Sequence, residues 1–150
     1  MLKKIIWPVL SVLVAAGIFI SSSLSGEVSG YASMRIAYWV RYVIPLSNEA
    51  FGVLNFLVRK GAHFFVYFVL AFCVAHSLKF YLHNSKKLLF TAWAIAAIYG
   101  VTDEVHQYFV PGRAMAFTDM LINAAGAFAG AALVVLFLRM VARKQTKESG

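Results

Sequence analysis

The sequence predicts an all-α membrane protein, a four-transmembrane-helix bundle with a short interfacial helical segment between helices 1 and 2. Three observations carry that expectation. The chain of 150 residues is 61% hydrophobic and only 13% charged, against about 45–50% and about 25% in a soluble domain. Four stretches are long and apolar enough to cross a bilayer as helices. Basic residues flank these stretches and form no stripe with interleaved aromatics, so the net charge of +8 points to a membrane surface and no nucleic-acid partner. One integral membrane domain over residues 1–150 is expected. The single Cys73 lies in an apolar run, which excludes an intrachain disulfide and leaves a small buried hydrophobe as its role.

The first span covers residues 5–24, follows Lys3 and Lys4, and carries Pro8 in its first turn. A cleaved signal peptide is the rival reading, with Ser21-Ser22-Ser23 near the cut. The apolar run is long for that and no A-x-A site follows, so a retained helix is expected. Residues 27–60 are less regular. Gly26, Gly30 and the serines predict an initial loop. Met34 to Ile44 then mixes Tyr38, Trp39 and Tyr42 with Arg35 and Arg41, which suits a membrane interface. Pro45 ends it, and Ser47 or Asn48 would cap a short helix running through Arg59.

The second span is expected over residues 62–82, the third over 88–108 and the fourth over 117–138, with a frayed basic tail over 139–150. The loop 83–87 is short and basic. Pro111 and Gly112 fit the central positions of a type II turn. With both termini and the 83–87 loop on one side, that side holds Lys3, Lys4, Lys79, Lys86, Lys87, Arg139, Arg143, Lys144 and Lys147 against Glu148 alone. The other side holds five bases (Arg35, Arg41, Arg59, Lys60, Arg113) and five acids. The bias places both termini in the cytoplasm and the stretch Tyr99–Asn123 outside.

That stretch contains three of the six acids, Asp103, Glu104 and Asp119. Ionisable groups at such positions are costly and usually functional. In the third span Ala92, Ala96 and Gly100 recur every four residues and lead to Asp103, Glu104 and Gln107. In the fourth, Asp119, Asn123, Gly126 and Gly130 share a face, and Gly126-x-x-x-Gly130 is a close-packing signal. In the second, Lys60, His63, Tyr67, Ala71 and Val74 share a face. Packing spans two to four together would gather Lys60, His63, Tyr67, Asp103, Glu104, Gln107, Asp119 and Asn123 into an outward-facing pocket, with Arg113 folding over them.

The plainer account is mutual neutralisation, with Lys60 and Arg113 pairing Asp103, Glu104 or Asp119 and locking three helices. Desolvation offsets much of that attraction, and so many convergent polar groups exceed what locking requires. His63, between Lys60 and Tyr67, is a candidate acid–base group. His106 points away from Glu104, His76 and His83 have structural or surface roles, and Tyr99, Tyr108 and Phe109 form an interface belt. His63, Asp103, Glu104, His106 and Asp119 could in number hold a metal. No H-E-x-x-H or similar spacing exists, and no metal or cofactor is expected. No Gly-rich phosphate loop or nucleophile elbow is present, though Lys60 and Arg113 suit phosphate or carboxylate.

Arg59-Lys60-Gly61-Ala62-His63-Phe64 with Tyr67, the run from Tyr99 to Arg113, and Asp119 with Asn123 and Gly126 together resemble the VanZ-like family of bacterial membrane proteins. The combined pattern K-x-x-H-F, D-E-x-x-Q-x-F-x-x-x-R and D-x-x-x-N-x-x-G carries the likeness over about residues 55–135. The resemblance implies a small multi-pass envelope protein in which Lys60, His63, Asp103, Glu104, Gln107, Arg113, Asp119 and Asn123 matter. It also implies a link with teicoplanin-type glycopeptide resistance, the trait of the family's namesake. Two functions stay open. One is a pocket that binds membrane lipid headgroups, a cell-wall precursor or a lipoglycopeptide. The alternative is an intramembrane enzyme that uses His63 with Glu104 or Asp103 on a lipid-linked substrate. A proton-coupled carrier is disfavoured, because the faces turn apolar below Tyr67 and Asn123.

Overall fold

A computed structural model describes the backbone of residues 2–148 and the side chains of residues 4–146. It contains five helices, α1 (Leu2–Ser23), α2 (Gly26–Val43), α3 (Asn48–Leu78), α4 (Ser85–Tyr108) and α5 (Phe117–Glu148), and no strand among the described residues. All of these except α2 are long and apolar enough to cross a membrane. Exposed Ile, Leu, Val and Phe side chains cover their outer faces, as a lipid-facing surface requires.

Local signals start and stop the helices where they stand. Ser25 caps α2, its Oγ accepting from Val28 N at 3.4 Å, and Glu27 in the first turn complements the helix dipole. Ser47 caps α3 by accepting from Ala50 N at 3.2 Å. Asn84 caps α4 with one oxygen that accepts from both Lys86 N and Lys87 N. The α4–α5 link is the expected type II turn. Arg113 N donates to Val110 O at 3.1 Å, and Gly112 has φ +72°.

Several expected boundaries move. No loop precedes the interfacial segment, because helix begins at Gly26 directly after the Ser25 cap. The short helix expected to stop at Arg59 and the span expected over 62–82 are one helix that ends at Leu78. Gly61 alone does not break it, since nothing supplies competing capping chemistry there. Helix α4 starts three residues before Leu88. The tail expected to fray stays helical through Glu148, and residues 149–150 lie outside the described part, as do the side chains of Lys3 and Lys147. Pro8 sits inside α1, past its first turn, so the Lys4 carbonyl lacks its helical donor.

The core is built mainly between α3 and α5, with α4 against both and α1 against α3. Its residues are small: Ala71, Ala75, Ala92, Ala96, Ala127 and Ala131 are all fully buried. Such residues let backbones approach, which is the main packing gain available in lipid. Gly126 and Gly130 mark the closest approach. A Cβ at either would overlap the carbonyl oxygen of Phe64 or of Phe68 on α3. Helix α1 is peripheral, with 11% of its apolar window buried against 39% in α5.

Gly126→Ala is therefore expected to lower unfolding stability in detergent by about 3 kcal/mol through overpacking. Gly61, where an added Cβ meets nothing, is the control. Gly61→Ala should be neutral or stabilising by up to about 1 kcal/mol, and equal effects at the two sites would refute the close-approach account.

Candidate functional site

Close packing brings the C-terminal ends of α1 and α4, the N-terminal end of α5 and the middle of α3 together. Each of these segments turns polar there, and two adjoining networks form.

The first network lies between α3, α4 and α5. Lys60 Nζ forms a short ion pair with Asp119 Oδ1 and stands over the Phe56 ring at 5.2 Å. His63 Nδ1 is 3.2 Å from Asn123 Oδ1 and 3.7 Å from Glu104 Oε1. Glu104 Oε2 accepts from Ala116 N at 3.2 Å. Glu104 and Asn123 are fully buried, and Glu104 Oε1 and Asn123 Nδ2 have no hydrogen-bond partner. Gly100 makes the room: a Cβ there would press on Asn123 and Tyr67.

The second network ties α4 to α1. Gln107 Nε2 donates to Asp103 Oδ2 at 3.0 Å and reaches Ser22 Oγ at 3.4 Å. Arg113 does not fold over the acids as expected. Its Nη1 donates to Gln107 Oε1 at 3.0 Å, while Nε and Nη2 donate to the carbonyls of Leu24 and Ser21. Those carbonyls belong to the end of α1, where the dipole and the free acceptors favour a cation. Gly26 N donates to Pro111 O at 3.0 Å beside them. Arg113 is thus a clasp between the α1–α2 junction and the α4–α5 turn. Burial, and next the nearby Arg59, push its pKa down.

A cavity of about 520 Å³ opens between α1, α2 and α3. This cavity lies on the α1 side of the residues expected to form a pocket between spans two, three and four. Of the nine residues expected to line a pocket, His63, Tyr67, Asp103, Gln107 and Arg113 line this cavity. Lys60, Glu104, Asp119 and Asn123 lie in the first network, and His63 belongs to both. At the cavity floor the buried Tyr67 hydroxyl and the Asp103 carboxylate lie side by side. Arg59, which also lines the cavity, makes no hydrogen bond or ion pair with the described residues.

Sequence reasoning passed over Arg59, Ser21, Ser22 and Ser33 as site residues. The serine run at the end of an otherwise apolar span was the available signal for the α1 contribution. Among the other histidines, His106 stacks on Phe19 and meets Ser23, away from Glu104 as expected. His76 packs between Trp7 and Phe72. Cys73 is buried and free.

These features define a helical membrane protein with an ionic cluster and a polar-floored cavity at one end of its bundle. The sequence matches the VanZ/LLP1 family over residues 7–138, and the chain belongs to that family. Neither a curated protein nor a solved structure matches it.

Arg113→Lys keeps the charge and loses the fork that grips three acceptors. Amide exchange at Gly26 should accelerate on the order of tenfold or more as the α1–α2 junction loosens. Unchanged exchange there would remove the clasp.

Proposed function

We propose that the protein sits in the bacterial cytoplasmic membrane with both termini inside, and binds an anionic, lipid-anchored envelope molecule that enters sideways from the bilayer. Cell-wall precursors, anionic phospholipids and lipoglycopeptides of the teicoplanin type share that chemistry. The observation that carries the reading is the cavity. Val14, Ile18, Ile36 and Val58 offer an apolar wall suited to a hydrocarbon chain. Arg59 offers charge-assisted donors to phosphate or carboxylate, and the Arg113 charge stands beside it. The neighbouring Tyr67 hydroxyl and Asp103 carboxylate make the floor of the cavity polar and suit neutral hydrogen-bonding groups of a ligand. A site facing the external water layer follows from the basic residues gathered around the termini.

In lipid nanodiscs, Arg59→Gln should weaken binding of a fluorescent anionic lipid or lipid-linked precursor about tenfold with little loss of stability, because Arg59 makes no hydrogen bond or ion pair with the described residues. Ser33→Trp, which fills the space, and Asp103→Asn should weaken it too. If all three bind as the parent does, the cavity is no ligand site.

A second reading rests on the His63–Glu104 pair, a buried imidazole and carboxylate 3.7 Å apart beside the cavity. Acid–base chemistry on a lipid-linked substrate would use such a pair. Turnover of a lipid-linked precursor by purified protein, lost in both His63→Ala and Glu104→Gln, would favour it over binding alone.

Sidedness has its own check. In a Cys73→Ser background, a cysteine placed at Gly112 should label from outside intact cells, and one at Lys86 only after permeabilisation. The reverse pattern would invert the orientation.

A further inference from the structure

We propose that the cluster between α3, α4 and α5 is a divalent-cation site in which His63, Glu104 and Asp119 are the ligands, for an ion that accepts mixed nitrogen and oxygen donors such as Mn2+ or Zn2+. The inference is independent of what fills the cavity.

One ligand atom from each of the three residues lies within 4.8 Å of the other two. They come from three helices whose approach is fixed by Gly126 and Gly100, so the donors are held in place by packing. Glu104 supplies the second, independent observation. It is fully buried, and its Oε1 makes no hydrogen bond while standing 3.7 Å from the His63 ring nitrogen. A carboxyl oxygen that makes no hydrogen bond at that depth is costly.

Charge accounting points the same way. Glu104 and Asp119 bring two negative charges and Lys60 brings one positive, bonded to Asp119. Arg113 spends its donors on Gln107 and the end of α1. That leaves the buried Glu104 carboxyl group with His63 as its only nearby ion-pair partner among the described residues. A divalent ion satisfies Glu104 Oε1, the imidazole and the second oxygen of Asp119 together. Asn123 Oδ1 is 3.2 Å from His63 Nδ1; when that nitrogen donates to the amide oxygen it holds the ring, and Nε2 is the nitrogen left to bind the ion. Imidazole with two carboxylates favours Mn2+ or Zn2+ over Mg2+ or Ca2+. Three protein ligands leave a coordination position open.

The test uses tag-free, chelator-stripped full-length protein in zwitterionic nanodiscs, titrated with MnCl2 and ZnCl2 by calorimetry, with Mn2+ also followed by electron paramagnetic resonance. One saturable ion per chain is expected, with a rise in melting temperature. Glu104→Gln and His63→Gln should each weaken binding at least about tenfold, while the exposed Glu27→Gln should not. Lys60→Met should strengthen binding, because a like charge leaves. Melting curves in chelator establish that each variant is folded before titration. No saturable binding by the parent below about 1 mM, unchanged affinity in both Glu104→Gln and His63→Gln, or tighter binding of Ca2+ than of either transition ion would overturn the site.

Discussion

The structure depends on the backbone contact between α3 and α5. Lipid tails solvate a leucine as well as another helix does, so helices in a bilayer gain by packing and by hydrogen bonds they cannot make to solvent. Gly126 and Gly130 let α5 rest on the Phe64 and Phe68 carbonyls. Asp119 and Asn123 lie about two turns and one turn before Gly126 on the same face, and Lys60 and His63 lie about one turn and one residue before Phe64. Once the glycines set the separation, Lys60 meets Asp119 and His63 meets Asn123. A wider separation would strand both carboxylates of the cluster, so packing and electrostatics form one constraint.

The two polar networks answer different needs. Arg113 satisfies acceptors that the end of α1 would otherwise present without donors, and it joins segments far apart in the chain. Its role is architectural, although it also borders the cavity. The first network is over-supplied for architecture. Lys60 and Asp119 neutralise each other, yet Glu104 and Asn123 remain fully buried with unsatisfied atoms. A cluster selected only to lock helices would gain from replacing these groups with apolar ones of similar size.

Much of this was legible in the sequence, for physical reasons. Apolar runs of spanning length need no tertiary information to be recognised, and small residues every fourth position mark the faces that meet. Those two signals placed four spans and drew Lys60, His63, Asp119 and Asn123 toward one another. The type II turn was readable because only a residue tolerant of positive φ suits the position of Gly112. The fused helix α3 was not readable. Gly61 beside Arg59 and Lys60 looks like a break, and only packing decides that it is not. The position of the cavity was hidden too, since it depends on how α1 and α2 close against α3, and their contacts carry no repeating pattern. Ser22 and Arg59 became visible only with that geometry.

The division between a tight half and a loose half of the bundle has a mechanical consequence. Helices α3, α4 and α5 share a core of alanines and glycines in which any shift creates overlap or void. Helix α1 buries little of its apolar length and is held at its end by the Arg113 fork and the Gly26–Pro111 hydrogen bond. The cavity lies between this peripheral wall, which Tyr99 also ties to the rest through the Ala15 carbonyl, and the α3–α4–α5 block. Displacing α1 exposes mostly apolar surface to lipid, which costs little in a bilayer, whereas displacing α5 would expose buried charge. On the proposed function, the motion that would admit a bilayer-borne molecule runs through α1 and α2. Arg113 restrains that motion and lines the space the motion would open, and His63 is where that space meets the ionic cluster.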